Sequence, residues 1–460
     1  MGCSLSVPKA DACSDDLGCR RSFGWGSSCG TDGFCSAVVT DARCERTFPE
    51  DLFEQPEAYR DHVVLGGLYS YGDHLPTLQG SELALRTVET SDAFELDYAW
   101  VVCDYGDGSE NLEATREATD YLVNTLHVPA IIGPRGSSRT QAAFEVAQPE
   151  GVLVISPSAT SPALTEVDVV APTDATPGLL WRTAPPDPLQ SVVIASDLSQ
   201  RGVGSIAILA QEGVYGDSLA ALLQDEFLAQ GGATASITSF STDLFDVLAD
   251  AAAADVEEVV LISSEIDDYV AFLRGAVASD NLRTQYDAKG IFLPDAAFNE
   301  ILYTDTVDTS EILFDNIRGS RPANASGPLF DGFAAALADE FGASASDSGF
   351  TAHAFDAAWL VLYATVWAHT QEGAVDGLGI ARGLRQISGG TPVEIRTRGW
   401  ETVVEEFSAG RSIDVTGASG SLDYDAQTEE TTAPIEVWTV IADPASASGY
   451  AFQSEYVVEP

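Results

Sequence analysis

An α/β protein of two doubly wound, Rossmann-like lobes with a small Cys-rich module in front is the architecture this sequence predicts. Three observations predict it. Apolar strand-like runs alternate with helix-like stretches from residue 62 to residue 155. The same alternation resumes after a Pro-rich stretch at Pro185, Pro186 and Pro188, and six of the seven cysteines crowd into the first 44 residues. Alternation of this kind implies βαβ units around parallel sheets.

The N-terminal module holds Cys3, Cys13, Cys19, Cys29, Cys35 and Cys44 among several glycines. That density reads as a disulfide framework in an oxidising compartment. Clustered cysteines can also hold zinc, but the spacings are mostly five to nine residues and no CxxC pair occurs, which favours disulfides. The chain opens Met1-Gly2-Cys3, and Gly-Cys is how a bacterial lipoprotein signal ends, so Cys3 is a candidate lipid carrier. The other reading makes Cys3 a disulfide partner within the cluster. Residues 47–61 are polar and Pro-containing and suit a linker.

The first series reads as strand 62–69, helix 77–90, strand 96–103, amphipathic helix 111–126, strand 130–132, a helix from about residue 138, and strand 152–155. Cys103 ends an apolar strand, where a buried reduced thiol is expected. The second series runs helix 190–199, strand 205–209, helix 218–230, strand 233–240, helix 244–254, strand 258–262, helix 267–279 and strand 290–293, a second sheet of similar size. From residue 329 the chain is mainly helical (333–341, 350–369, 378–387) and ends with strand-like 420–424 and 435–441. These pieces are too few for a third sheet and are expected to complete the first two lobes.

With 71 acidic against 22 basic residues, the net charge of −49 opposes binding to phosphate backbones or anionic lipids. The acidic residues are spread along the whole length, which indicates a solvated surface and suits a salt-rich habitat. At 460 residues and 45% hydrophobic content the chain can bury a large core. No run of eighteen apolar residues occurs, and the apolar stretch 357–368 suits a buried helix.

The segment from Ile131 to Thr165 carries the densest functional signal. After strand 130–132, the loop Gly133-Pro134-Arg135-Gly136-Ser137-Ser138 opens into a helix whose first N–H groups lack intrahelical partners, an anion-binding arrangement. The next strand ends at Ile155 and opens into Ser156-Pro157-Ser158-Ala159-Thr160, at the sheet edge where open α/β folds bind ligands. The two loops could jointly hold a carboxylate through Ser137 and Thr160. Equally, these hydroxyls could be ordinary helix caps.

This segment resembles the signature of the type I periplasmic binding proteins, specifically the leucine/isoleucine/valine-binding, branched-chain amino acid ABC transporter substrate-binding family. The likeness extends from His62 to about Ile441. It includes Arg182-Thr183-Ala184-Pro185, the turn Val214-Tyr215-Gly216-Asp217, and the closing Val415-Thr416-Gly417 through Gly420-Ser421-Leu422-Asp423-Tyr424.

The resemblance implies two lobes joined by a three-strand hinge, with crossings near Pro186, Arg318 and Ser412. The expected partition is a Cys-rich module 1–46, linker 47–61, first lobe 62–187 plus 319–412, and second lobe 188–318 plus 413–460. It further implies that Ser137, Ser158, Ala159 and Thr160 hold the ligand's carboxylate and ammonium from the first lobe. Tyr215 would close over the ligand, or else pack locally in its turn. Asp295, after strand 290–293, would face the ammonium, or else be a solvated loop residue. Ser264 and Glu265 add polar groups after strand 258–262. The first loop, Tyr69-Ser70-Tyr71-Gly72-Asp73-His74, departs from the family pattern and places Tyr71 where side-chain selectivity is set, which puts a branched aliphatic ligand in doubt.

No catalytic constellation is assembled. The five histidines form no motif, the GxSxG match at residues 26–30 lies in the Cys-rich module, and HExxH, Walker A and GxGxxG patterns are absent. The acidic glycine loop 104–110 lacks EF-hand spacing and reads as a plain loop in preference to a calcium site. The expected function is therefore extracytoplasmic capture of an amino acid or similar small carboxylated ligand, without cofactor or metal, for a membrane ABC permease. The alternative is a ligand-sensing domain of the same fold. Either would be periplasmic or at the cell surface, and would touch the membrane only through a lipid anchor.

Overall fold

The two alternating series fold into two separate sheets. The computed structural model describes residues 12–460 other than 25, 73, 90, 92–93, 107–110, 170, 242–243, 325 and 347. Cys3, Asp73 and residues 107–110 of the acidic loop lie outside the described residues.

In the N-terminal module, Asp15 caps the helix Asp16–Phe23 by accepting from Gly18 N at 2.7 Å. Strands β1 (Ser27–Cys29) and β2 (Cys35–Ala37) pair antiparallel beside it. Disulfides Cys13–Cys29 and Cys19–Cys35 staple these pieces together. The third disulfide, Cys44–Cys103, corrects the expectation of a reduced Cys103. Its cause is non-local: β3 (Arg46–Phe48) lies antiparallel to β5 (Tyr98–Asp104) and brings two fully buried cysteines together from far apart in sequence.

The expected linker 47–61 therefore begins inside the first sheet, with Phe48 and Leu52 buried in the first lobe. Phe53 and Tyr59 of the same segment pack partly buried against that core.

The first sheet is completed by β4 (Val63–Tyr69), β6 (Ala130–Ile132), β7 (Leu153–Ser156) and β8 (Leu180–Arg182), in the order β3-β5-β4-β6-β7-β8. All neighbours except β3 and β5 run parallel. These strands are buried along nearly their whole length, as a sheet covered on both faces requires.

The second sheet contains β9 (Ser205–Gln211), β10 (Thr234–Phe240), β11 (Glu258–Ile262), β12 (Gly290–Leu293) and β13 (Ile317–Pro322), mutually parallel in the order β10-β9-β11-β12-β13. The short β14 (Thr391–Glu394) and β15 (Ile413–Thr416) pair parallel as a separate two-stranded sheet. Two late strands, β16 (Ile435–Ala442) and β17 (Tyr450–Val458), add antiparallel to the far edge of the second sheet.

The helices after β13 return to the first lobe. Helix Thr351–Trp367 is apolar nearly all round and buried along its length, so it forms the centre of the first core. It presses against helix Leu75–Glu89 at Gly80, where a Cβ would stand 2.6 Å from Thr351 O. Ile413, Val415, Leu422 and Tyr424 belong to the same core. The last crossing thus falls between Tyr424 and Ile435 and not near Ser412, because the apolar residues of 413–424 are buried with the first lobe. The expected strand at 420–424 contributes only single bridges, Thr416 to Ser421 and Tyr424 to Thr431. Among the described residues, no helix is long and apolar enough to cross a membrane.

Candidate functional site

The first wall of the site grows from the tips of β6 and β7. After β6 the chain must pass Leu68 closely: a Cβ on Gly133 would sit 2.2 Å from Leu68 O, and Gly133 has a φ of 97°. The turn then enters helix Ser137–Ala147 through Gly136, at φ 78°, and no side chain caps its first N–H groups.

The second turn is tied to the first. Ser156 Oγ donates to Pro134 O at 2.6 Å and accepts from Ala159 N at 3.1 Å. Ser158 Oγ accepts from Gly136 N at 3.2 Å, and Ser137 Oγ accepts from Ser161 N at 3.1 Å. The two hydroxyl-bearing turns are thereby held as one surface.

The second wall comes from the other lobe. Tyr215, at the start of helix Val214–Ala229, donates its hydroxyl to Asp295 Oδ1. Ser264 donates through N and Oγ to Gln211 Oε1, at 3.1 and 2.8 Å. Burial pushes the Asp295 carboxyl up to about 6. Asp187, fully buried just after β8, is raised well above the carboxylate range by burial and by the charge of Asp295.

Ser137, Ser158, Tyr215, Ser264 and Asp295 line one cavity between the lobes. The other three residues expected there do not. Ala159 is fully buried beneath the turn, with its N–H on Ser156. Thr160 is buried toward the hinge, where its hydroxyl faces Asp187 and its carbonyl accepts from Asp187 N at 2.8 Å. Tyr71 packs against the first core and donates its hydroxyl to Val102 O at 2.7 Å, because the apolar ring finds burial beside β5.

Sequence reasoning missed the cationic part of the cavity. His74, Arg135, Arg139 and Phe350 also line it, and all are buried. Arg139 pairs with Glu265 of the opposite lobe at 2.7 Å, and its guanidinium lies 4.8 Å from the Tyr105 ring centroid. Arg135 donates to Thr77 Oγ1 at 2.7 Å. Burial first, then the charges of Arg135 and Arg139, hold the His74 imidazole well below its usual range, so it stands neutral. A usable signal was present: two of only 22 basic residues lie within five positions at an expected anion seat.

The lobes touch around the cavity. Val214 N donates to Ser138 Oγ at 3.0 Å, and Ser161 Oγ meets Ser218 Oγ at 2.8 Å. The cavity is small, ≈ 20 Å³, room for about one water, so a guest of amino-acid size requires the walls to part. Among the described residues, the one metal-capable trio is Cys13, Cys19 and Cys35, whose sulfurs are all consumed in disulfides.

Comparison with known proteins bears on the fold and the family. The substrate-binding protein BasB of a chemotactic signal transduction system in Halobacterium salinarum is 25% identical over 319 residues, which is 66% of this chain and 68% of that protein. Among solved structures, the leucine-binding protein LivK from Thermotoga maritima superposes with a TM-score of 0.64 at 17% identity, over 86% of this chain and 99% of its own. The substrate-binding protein LivJ from Streptococcus pneumoniae, solved with isoleucine, gives 0.62 at 18% identity over 87% and 100%. An ABC transporter solute-binding protein from R. palustris, solved with 4-hydroxybenzoate, gives 0.66 at 14% identity over 87% and 98%. These structures share the two-lobed fold. A family model described as the receptor family ligand binding region matches residues 78–443, well over half of the sequence, and the chain belongs to that family.

Proposed function

We propose that this protein is an extracytoplasmic solute-binding protein that captures an amino acid or similar small carboxylated ligand between its lobes, for uptake through a membrane ABC permease. One observation carries the reading: two tied hydroxyl turns at neighbouring strand tips face Tyr215 and Asp295 across a single interlobe cavity. The ligand's carboxylate would rest on Ser137, Ser158 and the free N–H groups of helix Ser137–Ala147. Its ammonium would meet Asp295, and hinge bending would part and close the walls.

We read the site as one of binding without turnover, built from fixed donors and charges. The oxidising compartment suggested by three disulfides supports a periplasmic or cell-surface location. Cys3 is proposed as a lipid anchor. The six cysteines among the described residues are all paired with one another.

A second reading, ligand sensing for a membrane signalling partner, is favoured by the chemotactic role named for the Halobacterium salinarum relative. Calorimetry against amino acids and small carboxylates tests the binding function. Replacing Ser137 and Ser158 together by alanine should weaken a carboxylate ligand by about 1.5–3 kcal/mol per lost bond, and undiminished affinity would refute the seat. Loss of ligand uptake in a deletion strain supports transport, whereas loss of the tactic response with uptake intact supports sensing.

A further inference from the structure

Arg135 is 6% exposed and lines the interlobe cavity. Its acceptors are neutral: Thr77 Oγ1 at 2.7 Å, and Ser348 Oγ and Gly349 O at 3.4 Å each. Among the described residues no carboxylate stands within 4 Å of its guanidinium, in contrast to Arg139, which is matched by Glu265. A buried cation without a counter-charge is costly, and a ligand able to supply that charge gains accordingly.

The two anion acceptors are anchored differently. Ser137 and Ser158 are held by the β6 and β7 turns. Arg135 reaches away to Thr77 of helix Leu75–Glu89 and to the residues before helix Thr351–Trp367, with the Phe350 ring centroid 5.9 Å from its Cζ. This is the region of the first loop, with the neutral His74 beside it. Asp295 on the opposite wall is available to an ammonium; Glu265 and Asp295 act on Arg135 only from a distance, and among the described residues neither forms an ion pair with it.

We propose that the cavity selects a ligand carrying a second anionic group, a dicarboxylate of the acidic amino acid kind, whose additional carboxylate is taken by Arg135. The inference rests on the ligand seat proposed above and names the class of solute that fits it. An aliphatic side chain at this position would seal Arg135 away from water with no charge to answer it, which selects against branched aliphatic ligands. Arg135 is then the specificity-determining residue, and Ser137 and Ser158 serve the carboxylate common to all candidates.

Calorimetry on the full chain with L-glutamate and L-aspartate, their isosteric amides L-glutamine and L-asparagine, and L-leucine tests the proposal. At least one acid should bind tenfold or more tighter than its amide and than leucine. In Arg135→Met that preference should fall to within about threefold. Should Arg135→Met fail to fold, the ranking on the unaltered chain decides by itself. An amide or leucine binding as tightly as the acid, or a preference unchanged in Arg135→Met, overturns the proposal. A monocarboxylate that binds as tightly as the acids, with that binding lost on replacing Ser137 and Ser158, would sink this inference alone, whereas no binding of any carboxylate would sink the solute-capture reading with it.

Discussion

Replacing Cys44 and Cys103 together by alanine should destabilise the first lobe substantially. Their disulfide joins residues separated by 59 positions, and the chain-entropy relation for a loop of that size gives about 4 kcal/mol. Both sulfurs are fully buried, so the small voids left by alanine act in the same direction. At average specific entropies, such a loss lowers the melting temperature by about 4 °C if the whole chain melts as one unit, and by about twice that if the first lobe melts alone. Denaturant titration of the two forms without reductant measures the difference directly. A loss under about 1 kcal/mol would refute the reasoning. So would finding Cys44 and Cys103 reactive to a thiol reagent in the unreduced, denatured wild-type chain.

The Asp295 carboxyl, raised to about 6 by burial, makes binding of a ligand ammonium pH-dependent. Below pH 6 the carboxyl is protonated and the attraction is lost, so affinity for an amino acid should drop about tenfold between pH 7 and pH 5; calorimetry at both values checks this, and Asp295→Asn should abolish the dependence. The same raised value favours the protonated folded chain, so the stability contributed by this group is present below pH 3.8 and is lost as pH rises through about 6. Screening of a net charge of −49 should raise the melting temperature as salt is added; a fall on addition of salt would count against a surface built for saline surroundings. Tyr71→Phe should leave ligand affinity unchanged, since the hydroxyl is committed to Val102 O; a tenfold loss would return Tyr71 to the site.

The local parts of this molecule were legible early. Alternating apolar runs are a property of neighbouring residues, so strands such as β4, β9 and β11 and the helices between them could be placed from pattern alone. The two turns could be located because in each a run of small and hydroxyl-bearing residues directly follows an apolar strand. Tyr71 misled because an aromatic in a loop can bury itself against its own sheet as readily as against a guest. Thr160 misled because adjacent residues in a turn point in different directions. Arg135 and Arg139 passed unnoticed because a basic residue at a helix start is ordinarily solvated, and only the closing of the second lobe takes water away from them.

By itself, the sequence determined the fold class, the two series of elements, the oxidised character of the N-terminal module and the position of the β6 and β7 turns, since each depends on residues close together in the chain. Only the tertiary structure decided what meets what: Cys103 with Cys44, Asp187 with Asp295, Arg139 with Glu265, and residues 413–424 with the first core. Those choices depend on which distant surfaces exclude water from one another, and the buried charges and thiols of these pairs acquire their partners from that geometry.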